Sequence, residues 1–426
     1  MRETVESIVI AFVLAFLFRT FEAEAFVIPT GSMAPTLMGR HKDVVCPKCG
    51  YRYQVSASEE ESDDKSRPTT DCIAGQCPMC HYVMPMRPNL PLGVPELRQP
   101  DIPLQPSYNG DRILVNKYLY SFTNPQRWDV IVFKFPGDAK VNYIKRLVGL
   151  PGEKLRIYEG DVFVTKKDKP RDEDYHIARK SPKKILAMRQ LVHDTNYDPA
   201  ELDRAGWPLR WHSPENSGGN AWKLEKSIVG NDVRQKYSAD APANADAWLR
   251  YENLVPNYDV WQEVIDAKQR GDSKPLFSDA DRAKYRRLIM DANPYDGRVD
   301  RNRMMDMSLQ VDPLKQGLQW VGDLMMEANV DIESKSGELL LDLVEGGKHF
   351  TCRINVATGE AHLSADDDAS FAPKAKTSIV GPGKYAIAFS NFDDQLLLWV
   401  DGKVVPFEGE TAYNVDKVFG NRENII

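Results

Sequence analysis

Three kinds of hydrophobic pattern follow one another along the chain. Residues 8–18 form an unbroken apolar run, which Thr20 and Phe21 extend past Arg19. Counted over 5–27 it reaches the roughly twenty residues a spanning helix needs, with Arg19, Glu22 and Glu24 near its outer end. Residues 110–164 break into short alternating runs at 113–115, 130–133, 141–148, 155–157 and 162–164, the pattern of strands. From 318 to 407 the period is two: Leu324, Met326, Ala328, Val330 and Ile332 share a face, as do Leu339, Leu341 and Leu343. Phe350, Cys352, Ile354 and Val356 continue it, then Tyr385, Ile387 and Phe389, then Leu396, Leu398 and Val400. Ser336-Gly337, Gly346-Gly347, Thr358-Gly359 and Asp401-Gly402 separate these runs, which predicts an antiparallel sandwich.

The remaining stretches carry no such period. Residues 84–106 hold seven prolines and read as an extended linker. Residues 166–311 are charged and Trp-containing, with two predicted helices. One covers 258–269; the other starts at a Ser278 N-cap with Asp281 three residues on and runs to Asp291. This region shows no chemical constellation and reads as an insertion of unassigned role. A chain of 426 residues exceeds one ordinary domain. The net charge of −7 argues against a general nucleic-acid binder. Glu59, Glu60, Glu61, Asp63 and Asp64 form an acidic patch expected in a solvated loop.

The chemistry concentrates in two short segments. Residues 28–37 read Ile-Pro-Thr-Gly-Ser-Met-Ala-Pro-Thr-Leu, and 143–152 read Tyr-Ile-Lys-Arg-Leu-Val-Gly-Leu-Pro-Gly. A serine hydroxyl is a poor nucleophile and needs an adjacent base. Gly31 lets the backbone approach a carbonyl, while Pro29 and Pro35 stiffen the flanks. Lys145 is the candidate base; a free lysine, with a pKa of about 10.4, must be desolvated to accept a proton at neutral pH. Tyr143, Ile144, Leu147 and Val148 are expected to supply that apolar cover.

Together the two segments resemble the bacterial type I signal peptidases, a family of Ser/Lys peptidases. The resemblance covers 1–37 and 108–165. It implies that Ser32 attacks a peptide bond following small residues at −1 and −3 and that Lys145 takes its proton. Thr30 and the Ser32 N–H would hold the oxyanion, with no cofactor for catalysis. The segment Gly110-Asp-Arg-Ile-Leu-Val-Asn-Lys117 matches the box after the serine and would supply strand and groove. The implied partners are signal peptides of exported proteins and the lipid bilayer, not nucleic acid. The implied location is the cell membrane, single-pass, with the bulk of the chain extracytoplasmic. The alternative for the N-terminal run is a cleavable signal peptide, since Ala23-Glu24-Ala25 mimics a cleavage site. A further family segment of the type Gly-Asp-Asn-x-x-x-Ser-x-Asp-Ser-Arg is not found before Ile426, so the catalytic core reads as incomplete, through truncation or degeneration.

Cys46-Pro-Lys-Cys49 and Cys77-Pro-Met-Cys80 form two C-x-x-C pairs, the pattern of a structural zinc ribbon; two disulfides are the alternative. Cys72 and His81 are possible substitute ligands, and Cys352 reads as a core thiol. Asp393-Asp394 reads as an exposed turn rather than a cation site.

The expected class is mainly β: an N-terminal transmembrane helix, a signal-peptidase-type β core, an inserted zinc ribbon and an antiparallel sandwich similar to the concanavalin/laminin-G jelly roll. The expected plan is an anchor over 1–27, a catalytic core over 28–45 and 107–165, a zinc ribbon over 46–83 and a linker over 84–106. An insertion over 166–311, a sandwich over 312–410 and a tail over 411–426 complete it. The competing functional reading is a non-catalytic anchored surface protein. A self-cleaving Ser/Lys repressor relative is set aside, because a membrane segment stands where a DNA-binding motif would precede the serine.

Overall fold

The computed structural model describes residues 2–21, 23–60, 70–87, 104–214, 222–229, 232–241, 243–300 and 319–420. Most of the proline-rich linker, Glu61, Asp63 and Asp64 of the acidic patch, and the last six residues lie outside them. The chain is mainly β, as its patterns predict, and forms two compact units. One comprises residues 1–125, 130–146 and 190–320; the other comprises 126–129, 147–189 and 321–426.

The first unit opens with the helix Arg2–Phe21. No helix among the described residues is long and apolar enough to cross a membrane, so they do not support the expected spanning anchor. The uninterrupted apolar run covers only 8–18 between Glu6 and Arg19, about half of what a bilayer core requires. Val5, Ile8, Val9, Ile10, Phe12, Val13, Leu14 and Phe16 of this helix are exposed. After it, Ala23–Val27 pairs antiparallel with Arg112–Asn116, so the box after the serine does form a strand. Gly110 permits close packing at the foot of this pair: a Cβ there would stand 1.9 Å from the Ile28 carbonyl oxygen. Asp111 accepts from the Met38 N–H at 2.7 Å through its carboxylate and from the Ile28 N–H at 2.9 Å through its carbonyl, and so ties the two ends of the serine segment beside this strand.

His41–Val45 pairs with Arg52–Ser56, and Cys72–Gln76 lies between Val83–Pro85 and Arg298–Asp300. The region read as an insertion of unassigned role therefore contributes a strand beside the paired cysteines. It also contributes the helix Tyr258–Arg270, close to the predicted span. Its Asn257 side chain accepts from the Val260 N–H at 3.0 Å, and Gly271 ends it in the left-handed region at φ 75°. Val260, Trp261, Val264 and Ala267 make one buried stripe, the spacing of a helix face. The second predicted helix starts where expected, with Ser278 and Asp281 forming a reciprocal cap, but it ends at Tyr285 rather than Asp291. There the backbone turns to pair elsewhere: Val255 N–H donates to the Tyr285 carbonyl and Arg287 N–H to that of Asn253.

Glu60 is not freely solvated, which corrects the expectation at that position, whereas Glu59 is exposed as expected. Glu60 meets Lys42 at 3.0 Å, both side chains buried, and Glu59 meets Arg298 at 2.5 Å.

The second unit holds Lys154–Tyr158, Asp161–Thr165 and His176–Ile177 in one three-stranded sheet, and the sandwich strands in two four-stranded sheets. One sheet orders Leu324–Ile332, Gly383–Phe392, Gln395–Val400 and Lys403–Val404; the other orders Glu338–Glu345, Lys348–Asn355, Glu360–Ala365 and Lys374–Lys376. Every adjacent pair is antiparallel. Glu159-Gly160, Gly346-Gly347, Asp393-Asp394 and Asp401-Gly402 all take positive φ at both positions, the two-residue turn whose twist suits a hairpin. The period-two reading found one buried face of Gln395–Val400. The other is buried as well: Leu397 and Trp399 pack with Ala388 and Ile185, the last from the helix Pro182–Met188. A strand covered on both sides carries a continuous apolar run, and Leu396-Leu-Leu-Trp-Val400 is one. Beyond residue 410, Tyr413 and Phe419 pack on Phe350, with ring centroids 4.5 and 6.2 Å away.

Asp393 departs from the exposed turn expected of it. It is buried and paired with Lys180, which also meets Asp323 at 3.3 Å. Burial opposes the ammonium form of Lys180, but Asp323 and Asp393 outweigh that and raise its pKa. With Asp161 nearby, these carboxylates already have their cation in Lys180.

Candidate active site and candidate metal centre

Ser32 and Lys145 are 113 residues apart in sequence, and the fold brings them into contact: Lys145 Nζ donates to Ser32 Oγ at 2.5 Å. The serine stands on a tight loop closed by two internal bonds, Ala34 N–H to the Gly31 carbonyl at 2.8 Å and Leu37 N–H to that of Met33 at 3.0 Å. Met33 is buried beneath it while Ser32 and Thr30 are exposed. The loop's base is drawn tight at Gly39, whose absent side chain would lie 2.3 Å from the Thr30 backbone.

Lys145 lies on the hairpin of Val130–Phe135 with Asp138–Arg146, opposite Ile131. The ammonium is 5.8 Å from the Tyr143 ring centroid, and Tyr143 stacks on Phe135 at 4.7 Å. Arg146 donates to Thr36 Oγ1 at 3.2 Å, which ties the hairpin to the serine loop from the neighbouring position. The apolar cover expected around Lys145 is not there: its side chain is exposed, as are Tyr143 and Val148. Strand alternation explains part of the failure. Ile144 points to the opposite face from Lys145, and Tyr143, which shares its face, is itself exposed and leaves the amine uncovered.

The four thiols of the C-x-x-C pairs converge, with all Sγ atoms within 4.8 Å of one another. Cys46 Sγ lies 3.5 Å from Cys80 Sγ and Cys49 Sγ lies 3.6 Å from Cys77 Sγ. Four thiolates bound tetrahedrally at about 2.3 Å from zinc would stand about 3.8 Å apart, so the donor set fits that metal. The two knuckles repeat each other. Gly50 N–H donates to the Cys46 carbonyl and His81 N–H to that of Cys77, both at 2.9 Å. Gly50 and His81 take φ of 75° and 57°.

All four cysteines are buried. Hydrogen bonding from the other three thiols pulls Cys46 below the ordinary thiol range, whereas hydrogen bonding to Cys46 and Cys77 raises Cys49 and burial raises Cys80. Cys72 stands apart, with its Sγ toward the Ala74 carbonyl at 3.4 Å and toward Met86 Sδ at 3.8 Å. Burial pushes it up to about 12, and does the same to Cys352 in the sandwich. His81 is not one of the converging donors.

Much of the centre's support comes from residues that sequence reasoning left without a role. Trp261 Nε1 donates to the Cys80 carbonyl at 2.8 Å and Arg210 to the Met79 carbonyl at 3.2 Å. Lys48, between the first two cysteines, meets Glu201 at 2.6 Å and lies 5.2 Å from the Tyr82 ring centroid. The amphipathic stripe of 258–270 was the available signal, but it showed only that a face is buried, not against what.

Comparison with known proteins bears on the same segments. The model of the family "Signal peptidase, peptidase S26" matches residues 1–70 and 100–204. Signal peptidase I of Pseudomonas fluorescens is 49% identical over 59 residues, 11% of this chain and 21% of the relative. Signal peptidase I of Rickettsia canadensis (strain McKiel) is 29% identical over 103 residues, 20% of this chain and 39% of the relative. That of Buchnera aphidicola subsp. Baizongia pistaciae (strain Bp) is 43% identical over 58 residues, 11% and 19%. The chain thus spans between 19% and 39% of the length of these relatives. No solved structure matches it. Over the segments that carry the serine loop and the lysine hairpin, the chain is similar to the signal peptidases of peptidase family S26.

Proposed function

We propose that the chain is a serine endopeptidase of the signal-peptidase type, acting on exported proteins at the cell membrane. The observation that carries the reading is the 2.5 Å bond between Lys145 Nζ and Ser32 Oγ. Ser32 attacks the peptide carbonyl that follows small residues at −1 and −3. Lys145, as the free amine, accepts the serine proton, returns it to the leaving amine and then activates the deacylating water. Thr30 Oγ1 and the Ser32 N–H hold the oxyanion. The substrate supplies what the exposed lysine lacks: a peptide lying over the hairpin displaces water from Nζ and favours its neutral form. The exposed apolar helix Arg2–Phe21 contacts lipid and keeps the serine at the membrane face where signal peptides emerge. A zinc ion at Cys46, Cys49, Cys77 and Cys80 is structural, because protein fills all four positions.

The exposure of Lys145 is the observation that favours the second reading, a surface protein that has lost catalysis. Cleavage of a signal-peptide-bearing precursor in detergent, run beside Ser32→Ala and Lys145→Ala, decides between them. Processing by the parent and by neither variant supports the peptidase. No processing by any of the three, with the parent folded and metal-loaded, overturns it.

A further inference from the structure

Gly31 immediately precedes the candidate nucleophile, and its surroundings are unusual. A Cβ at this position would fall 1.8 Å from Tyr295 Cε1, so the tyrosine ring occupies the space any side chain would need. That ring is buried, at 2% exposure. Its hydroxyl donates to the Arg40 carbonyl at 2.8 Å and bonds Ser58 Oγ at 2.6 Å, so the far side of the loop is gripped as well. Two residues earlier, Asn293 Nδ2 donates to the Ala34 carbonyl at 3.3 Å, while Asn293 Oδ1 accepts from the Tyr295 N–H at 3.1 Å. Ser32 is thereby bracketed, with Gly31 against the tyrosine and Ala34 against the asparagine.

The short turn Pro294–Asp296 is held in its own right. It leads into Arg298–Asp300, which pairs with Cys72–Gln76, the strand that runs directly into Cys77. Gln76 N–H donates to the Gly297 carbonyl at 2.8 Å where the two meet.

We propose that Tyr295 and Asn293, about 260 residues downstream of the serine, are positioning residues for Ser32, and that the strand entering the cysteine centre anchors them. This rests on the peptidase reading for its catalytic consequence. The physical argument is that an exposed serine on a loop with two internal bonds needs an external stop to present Oγ to Lys145 within a few tenths of an ångström. Tyr295 is that stop, and Gly31 is the residue type that lets it approach.

The test uses the full chain in detergent and compares Tyr295→Ala with Tyr295→Phe, which keeps the ring but not its hydroxyl bonds. Loop displacement of about 1 Å can cost about 10²-fold in rate. The expected result is that Tyr295→Ala lowers kcat by about 10- to 100-fold with KM changed less than about threefold. Tyr295→Phe should stay within about threefold of the parent on the same basis. Hydrogen exchange at the Ala34 amide, which bonds the Gly31 carbonyl, should speed up in Tyr295→Ala and not in Tyr295→Phe. Gly31→Ala, which leaves Tyr295 and the thiols in place, should reproduce the Tyr295→Ala pattern. Unchanged kcat and unchanged exchange in both Tyr295→Ala and Gly31→Ala overturn the inference. A parent that does not cleave sinks the peptidase reading instead, and the exchange rates then still decide whether the turn positions the loop.

Discussion

The cysteine centre and the serine–lysine pair lie in the same unit and are built on opposite principles. The four thiols are buried, and their knuckles are held from several directions, by Trp261 at the Cys80 carbonyl, by Arg210 at the Met79 carbonyl and by Glu201 at Lys48. The serine and lysine are exposed, held to each other by one hydrogen bond and steadied from behind by Arg146 and the turn Pro294–Asp296. A centre that only has to be stable can be closed on every side. A centre that, on the proposed reading, must receive a polypeptide has to leave one side open, and its electrostatics are completed by what binds there. The contrast teaches that exposure of Lys145 is compatible with a base that works only under a substrate.

Four substitutions break or sharpen this contrast. The largest effect is expected from Lys145→Met, which should reduce precursor cleavage by about 10⁴-fold, the upper range for a positioned proton acceptor. Because the side chain is exposed, the thermal midpoint should stay within about 1 °C, in keeping with surface changes of under about 0.5 kcal/mol. A large loss of stability instead would mean that the pair is structural. Trp261→Ala should do the reverse: it removes a buried ring and the Nε1 bond to Cys80, and should destabilise the unit by about 3–5 kcal/mol in denaturant unfolding. Zinc content by mass spectrometry should fall with it; full zinc occupancy at unchanged stability would contradict the role given to the helix. Thr30→Val removes one proposed oxyanion donor and should cost about 10²–10³ in kcat with KM nearly unchanged; a loss confined to KM would move Thr30 from catalysis to binding. The smallest effect is expected at the second knuckle. His81→Gly relieves a left-handed residue that costs roughly 1–2 kcal/mol, less the roughly 0.5–1 kcal/mol of added chain entropy. A rise in unfolding free energy of under about 1 kcal/mol checks it, and a fall would show that the imidazole packs in a way its backbone does not reveal.

Legibility divided along the range of the interactions involved. Strands at Val130–Phe135, Asp138–Arg146, Lys154–Tyr158 and Asp161–Thr165 follow from local alternation and β-branched content, and the sandwich hairpins from paired turn residues. Glu360–Ala365 and Lys374–Lys376 escaped because their buried positions are mostly alanines, Ala361, Ala365 and Ala375, which carry little hydrophobic signal. The second face of Gln395–Val400 escaped because a period-two search discards alternate apolar residues by construction. The helix predicted to Asp291 stopped at Tyr285 because pairing with Asn253 and Val255 won over local helical propensity.

By itself the sequence determined which residues are the candidates for chemistry and where many of the short elements begin: the serine loop, the lysine strand, the four thiols, the caps and the two-residue turns. These depend on side-chain type and on spacings of a few residues, and such information is local. Tertiary structure alone decided what surrounds them. It set Lys145 in the open, with Tyr143 of the same strand face exposed beside it rather than covering it. It placed Glu60 and Asp393 in buried ion pairs with Lys42 and Lys180. It also brought Tyr295 against Gly31 and Trp261 against Cys80, contacts that span 264 and 181 residues. Burial and long-range partners are sums over the whole packed chain, and no local spacing encodes them.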